Sequence, residues 1–157
     1  MISQTAEYAL RAVVHLARIG GGPAVTEEIA EATMVPKGYL ARILRDLSKA
    51  GILTARRGIG GGFALAIPAG KISLWDVLDA CDGNVGRIVG CPLGISSHDS
   101  SLCSLHQLLD DTIAEVERRF KTATIQDVLT ADHPSKPLCQ ASEQVDLKIE
   151  GQEPGSE

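Results

Sequence analysis

The chemically soft donors of this chain are four cysteines and four histidines, and half of them fall in one stretch as Cys91, His98, Cys103 and His106. Two thiols with two imidazoles form a donor set able to hold zinc tetrahedrally. The same side chains offer a second chemistry, in which Cys91 or Cys103 is a nucleophile activated by His98 or His106, as in a thiol-dependent enzyme, while as ligands alone they would make a metal-binding interaction module. Cys81 falls on an apolar helix face and reads as a small buried hydrophobe. Cys139 lies in a polar tail, and His15 reads as a surface or packing residue of the first helix. The N-terminus lacks a basic start followed by an apolar stretch, so a cytoplasmic chain is expected. In that reducing compartment an even cysteine count favours metal, cluster or buried thiols over disulfides.

A second set of reactive groups is basic. Residues 37–57 carry Lys37, Arg42, Arg45, Lys49, Arg56 and Arg57, with Asp46 the only acid. The whole chain has a formal net charge of −5. That mean conceals a division: residues 1–75 hold nine Lys/Arg against five Asp/Glu, and residues 76–157 hold six against fifteen. A basic block inside an acidic chain is the footprint of local phosphate contact.

These groups must be placed by the elements around them. Apolar residues recur at helical spacing over 5–19 (Ala6, Leu10, Val13, Val14, Ala17), and Gly20 ends that run. Thr26 reads as the N-cap of a short helix reaching about 33, with Glu27 and Glu28 in its first turn. Pro36 suits the entry of a third helix over 37–50, which buries Leu40, Ile43, Leu44 and Leu47 and stops at Gly51. Strands are expected over 52–55 and 63–67, joined by a basic, glycine-rich tip, Arg56 to Gly62. Ser73 caps a helix over 74–81, with Asp76 in the capping-box position. A Gly/Ser/Asp/Pro-rich loop covers 82–101. The longest helix is expected over 102–121, with Leu105, Leu109, Ile113, Val116 and Phe120 in one stripe. Thr124 caps a last helix over 125–131, and a polar tail expected to be disordered follows over 132–157.

The sequence thus predicts a mostly α fold with a small β-hairpin: a winged helix-turn-helix over 1–81, a cofactor or sensor loop over 82–101, and a long C-terminal dimerisation helix with a docking helix over 102–131. The third helix presents Lys37, Gly38, Tyr39, Ala41, Arg42 and Arg45 toward a major groove, and Arg56 and Arg57 on the wing reach the backbone or minor groove. Other function classes are disfavoured. The aromatics (one Trp, two Tyr, two Phe) are too few for an aromatic cage or a base-stacking surface. Gly58-Ile59-Gly60 begins like a dinucleotide fingerprint, but Phe63 stands in the third glycine's place, and no Gly-Lys-Ser/Thr is present. No apolar run approaches a membrane span.

Several segments carry a recognisable pattern: Thr5-Ala6-Glu7-Tyr8-Ala9-Leu10-Arg11-Ala12-Val13, Gly38-Tyr39-Leu40-Ala41-Arg42-Ile43-Leu44, Ala50-Gly51-Ile52-Leu53 and, most specifically, Arg57-Gly58-Ile59-Gly60-Gly61-Gly62-Phe63-Ala64-Leu65. Over roughly residues 1–131 the chain resembles the Rrf2 family of bacterial winged-helix transcriptional regulators, of the IscR/NsrR-like kind. The resemblance implies a homodimer built on the helix 102–121 and binding a two-fold-symmetric operator duplex; a repressor is the expected role, with an activator as the open alternative. It places DNA-reading roles on Lys37, Gly38, Tyr39 and Ala41 and a wing contact on Arg57. Some relatives carry a hydroxyl and an acid where this chain has Gly38 and Ala41.

The resemblance also implies ligand positions for an iron–sulfur cluster at Cys91, Cys103 and His106, with Glu7 matching a carboxylate supplied across the dimer. The middle cysteine of that pattern is missing: Ser97 stands there, with His98 beside it. A Cys, Cys, His, Glu set can hold a two-iron cluster, because imidazole can replace thiolate on one iron. Zinc on Cys91, His98, Cys103 and His106 is the alternative, and a loop holding no cofactor is the third.

Overall fold

The computed structural model describes residues 2–20, 22–82, 86–91, 93–95 and 101–138. Helix α1 (Gln4–Arg18) starts where the Ser3 hydroxyl accepts a hydrogen bond from the Ala6 N–H at 3.1 Å. It is the centre of the core. Ala6, Ala9, Ala12, Val13 and Leu16 are wholly buried, and the helix packs against α2, α3, α4 and α6, whose ranges follow. It ends one residue earlier than the apolar spacing predicts, because Gly20 turns into the left-handed region and donates to the Ala17 carbonyl.

Helix α2 (Thr26–Thr33) corrects the expected cap. Thr26 is its first helical residue; the cap is Val25, whose N–H is accepted by the Glu28 carboxylate at 3.0 Å. An acid three residues on serves the backbone better than the threonine hydroxyl, so the helix is entered one residue sooner. Met34 takes a left-handed conformation at φ 55° and turns the chain into α3 (Lys37–Lys49), capped by Pro36. Leu40, Ile43, Leu44 and Leu47 are buried as the spacing requires, and Gly51 at φ 76° stops the helix.

The hairpin consists of β1 (Leu53–Arg56) and β2 (Gly62–Leu65), antiparallel, with Leu53 opposite Leu65 and Arg56 opposite Gly62. Both strands are displaced from the predicted 52–55 and 63–67. The Ile52 N–H is spent on the end of α3, bonding the Leu47 carbonyl at 3.0 Å, so only its carbonyl reaches the hairpin, where it accepts from Ala66 at 2.9 Å. A further pairing was not legible in the sequence: Ala24 and Phe63 exchange backbone hydrogen bonds of 2.9 and 2.8 Å, docking the wing on the link before α2. The glycines make this possible. A Cβ at Gly62 would lie 2.5 Å from the Ala24 carbonyl oxygen, and one at Gly61 would lie 2.4 Å from that of Arg56.

After a 3₁₀ turn (Ala69–Lys71), α4 (Leu74–Asp82) begins with the predicted reciprocal cap: Ser73 N–H to the Asp76 carboxylate at 2.9 Å, and Asp76 N–H to the Ser73 hydroxyl at 3.1 Å. Helix α5 (Ser104–Thr122) begins later than the predicted 102, because Cys103 takes the extended N-cap conformation. Thr124 and Asp127 form the second capping box, opening α6 (Ile125–Thr130). Ile125 donates to the Ile72 carbonyl at 2.9 Å, and both side chains are wholly buried. The chain thus returns to the core after α5. Of the polar segment expected to be disordered, residues 132–136 are exposed, while Leu138 packs on the core and its carbonyl accepts from Arg18 on α1. Residues 139–157, with Cys139, lie outside the described residues.

Candidate nucleic-acid interface and cysteine loop

Helix α3 exposes Lys37, Gly38, Tyr39, Arg42 and Arg45 and leaves Ala41 half-buried, so its first turn is open to a partner. Tyr39 rests edge-on against Tyr8 of α1, ring centroids 6.4 Å apart and planes at 80°. The Arg11 guanidinium lies 5.7 Å from the Tyr8 ring centroid. Tyr8 is therefore a buttress for the presenting residue, which the sequence reading did not single out; nothing in local spacing connects positions 8 and 39. The basic groups are unequally engaged. Lys37 is ion-paired with Glu27 of α2, which holds the Glu27 carboxyl below its ordinary range. Arg42 and Lys49 share Asp46 at 3.8 and 3.5 Å. Arg45, Arg56 and Arg57 have no ion pair among the described residues, and all three are exposed. Three uncompensated guanidiniums on one helix and one hairpin make an anion-seeking surface, since exposed pairs such as Lys37–Glu27 exchange readily for phosphate.

The cysteine loop is built differently. Cys103 caps α5 and His106 follows it by one turn, so the helix itself brings Sγ and Nδ1 to 3.4 Å. Cys91 is half-buried in a turn in which the Gly94 N–H donates to its carbonyl at 3.0 Å. Ser97 and His98 lie outside the described residues. Among the described residues, no three His, Cys, Asp or Glu side chains are grouped closely enough to hold a metal ion. The fold thus joins Cys103 with His106 and does not bring Cys91 to them. Glu7 is on α1, where its carboxylate accepts from Arg11 Nε at 2.6 Å. Cys81, expected to be buried, is half-buried and packs against the core from α4.

One anchor of this loop has no local sequence signal. Arg87 donates twice to Asp110 of α5, at 2.7 and 2.5 Å, and the Ile88 N–H donates to the same carboxylate at 2.9 Å. Asp110 is 5 % exposed, and Arg87 holds its carboxyl well below the ordinary value, at about 2, with Ile88 contributing. Around it the apolar stripe of α5 is divided. Ile113, Val116 and Phe120 are half-buried, whereas Leu105, Leu108 and Leu109 are 62, 67 and 47 % exposed. Lys121 lies 5.6 Å from the Trp75 ring centroid, fastening the end of α5 to α4.

Three helices, a short left-handed turn before the third, and a basic two-stranded wing define a winged-helix DNA-binding protein. The family profile described as an iron-dependent transcriptional regulator, Rrf2, matches residues 2–131, and the chain belongs to the Rrf2 family. A protein of Aquifex aeolicus assigned as an HTH-type transcriptional regulator is 30 % identical over 135 residues, covering 84 % of this chain and 93 % of its own. Among solved structures, CymR, the global cysteine regulator of B. subtilis, superposes with a TM-score of 0.67 at 22 % identity over 82 % of this chain and 95 % of its own. IscR of T. potens superposes with a TM-score of 0.66 at 23 % identity, over 82 % and 85 %. These likenesses fix the fold and the class: the chain is a DNA-binding transcriptional regulator, and the thiol-enzyme alternative is set aside because its family and relatives are regulators. Among the described residues no helix is long and apolar enough to cross a membrane.

Proposed function

We propose that the chain is a homodimeric repressor that binds a two-fold-symmetric operator and senses a signal through the loop 91–106. The observation that carries the DNA reading is the set of exposed, unpaired guanidiniums, Arg45 on α3, whose first turn is open, and Arg56 and Arg57 on the wing. In this reading Lys37, Gly38, Tyr39 and Ala41 face base edges, Arg42 and Arg45 flank them, and the wing arginines hold the backbone or minor groove. The exposed leucines of α5 support dimerisation through that helix, since a contiguous apolar patch seeks cover. Fluorescence anisotropy with genomic fragments tests the assignment. Specific, salt-dependent binding is expected, and an Arg57→Ala variant with unchanged affinity and salt slope would overturn the wing's role.

The donor types of the loop fit a metal centre, and Cys103 with His106 is the preformed part of it. Cys91, Cys103 and His106, with Glu7 of the partner subunit, would hold a two-iron cluster, which supplies a redox-sensitive centre when bound. For Glu7 to take part, its pairing with Arg11 must open. Anaerobic purification with metal and sulfide analysis decides. Iron and sulfide, with a visible band lost in Cys103→Ala and weakened in Glu7→Ala, support the cluster. A colourless protein whose stoichiometric zinc is lost in His98→Ala establishes zinc on Cys91, His98, Cys103 and His106 instead. Metal-free protein with the same operator affinity in air and without it removes the sensor role.

A further inference from the structure

A cavity of about 580 Å³ opens between α1 and α2, within the size range of small-molecule sites. Its α1 wall is Arg11, His15 and Arg18, spaced along one face of the helix. Its α2 wall carries Glu28 and Glu31. Opposite charges therefore line one cavity, yet no ion pair crosses it among the described residues. Arg11 is taken by Glu7 and by the Thr33 carbonyl at 3.2 Å, and Glu28 by the Val25 N–H. Arg18 donates to the carbonyl of Leu138, which itself lines the cavity. The Glu31 carboxylate has no hydrogen-bond or ion-pair partner among the described residues.

The lining narrows the ligand class. A simple anion meets two carboxylates, and a cation meets two guanidiniums. His15 adds no charge near neutral pH, because burial first, and then Arg18, lower its pKa below the ordinary value. Its Nδ1 is buried without a hydrogen-bond partner. The remaining wall is apolar, with Ile19, Ala32 and Met34. We infer that this cavity binds a small zwitterion of the α-amino-acid class, with its carboxylate on Arg18 in place of the Leu138 carbonyl and its ammonium group on Glu31. The site abuts Thr33 and Met34, the turn that sets the entry of α3, so a ligand there touches the support of the DNA-reading helix. The inference does not depend on the loop chemistry or on DNA binding, and its test uses neither.

The full chain is titrated calorimetrically with each standard free amino acid, then with the N-acetyl and amide derivatives of any that binds. At least one free amino acid is expected to bind, with both derivatives weaker. Arg18→Ala and Glu31→Gln are each expected to weaken it about 10- to 100-fold, the scale of one charge-assisted hydrogen bond. Both side chains are exposed and outside the core, so both variants should fold, and their unliganded melting curves verify it. Binding that survives both substitutions overturns the assignment, as does an absence of heat with every amino acid. An N-acetyl derivative that binds as tightly as the free amino acid overturns the zwitterion class and marks an anion site.

Discussion

The wing and the cysteine loop are both irregular, glycine-containing stretches that carry the chain's reactive groups, but they are held in different ways. The wing is fixed by backbone: a four-pair ladder from Leu53–Leu65 to Arg56–Gly62, plus the exchange between Ala24 and Phe63. The described part of the cysteine loop is fixed to α5 through one carboxylate, Asp110, gripped by Arg87 and the Ile88 N–H. A surface that must present guanidiniums at a set spacing gains from backbone pairing, which no change of ionisation removes. A loop held by a single ionised clamp can be reset by charge or by ligands, which is the behaviour the proposed sensor role would call for.

The largest effect should come from the exposed leucines beside that clamp. Leu109→Asp puts a charge on a residue already 47 % exposed in the single chain, so folding should survive. Dimerisation should not, and operator affinity should fall on the order of a hundredfold once two half-sites no longer act together. Sedimentation checks this, and a full-strength dimer would place the interface elsewhere. Next come the glycines. Gly62→Ala forces a Cβ against the Ala24 carbonyl and should cost about 1–3 kcal/mol in urea unfolding, where strain cannot relax into side chains. Gly90→Ala in the cysteine loop meets open space and should cost less than about 0.5 kcal/mol. Equal costs would erase the contrast between the two regions.

Arg57→Ala should lower duplex affinity by about tenfold and reduce the salt slope by about one, without changing the melting temperature. The smallest effect concerns pH. The folded-state pKa of Asp110, about 2, lies below its ordinary 3.8, so the clamp's stabilisation is full above that ordinary value and is lost as pH falls toward 2. Asp110→Asn should therefore melt below the parent chain at neutral pH, with the gap closing between about pH 4 and pH 2. A gap that stays constant over that interval would show that the clamp contributes no ionisation-dependent stability.

The linear sequence determined whatever depends on neighbours within a turn or two. The apolar spacing of Leu40, Ile43, Leu44 and Leu47 placed α3, the Ser73/Asp76 and Thr124 caps opened α4 and α6, and the glycine run with its arginines marked the wing. Cys103 and His106 meet because one helical turn separates them. Tertiary structure decided contacts that span many residues and leave no periodic trace. Arg87 finds Asp110 because α5 packs where the chain before Cys91 passes, and Tyr8 supports Tyr39 because α1 lies under α3. The shifted ends of β1, α2 and α5, by contrast, were settled locally: the Ile52 N–H goes to the Leu47 carbonyl, the Val25 N–H to the Glu28 carboxylate, and Cys103 is itself extended. The cavity between α1 and α2 is a product of packing: its charges stand far apart along the chain and become one site only when the helices meet.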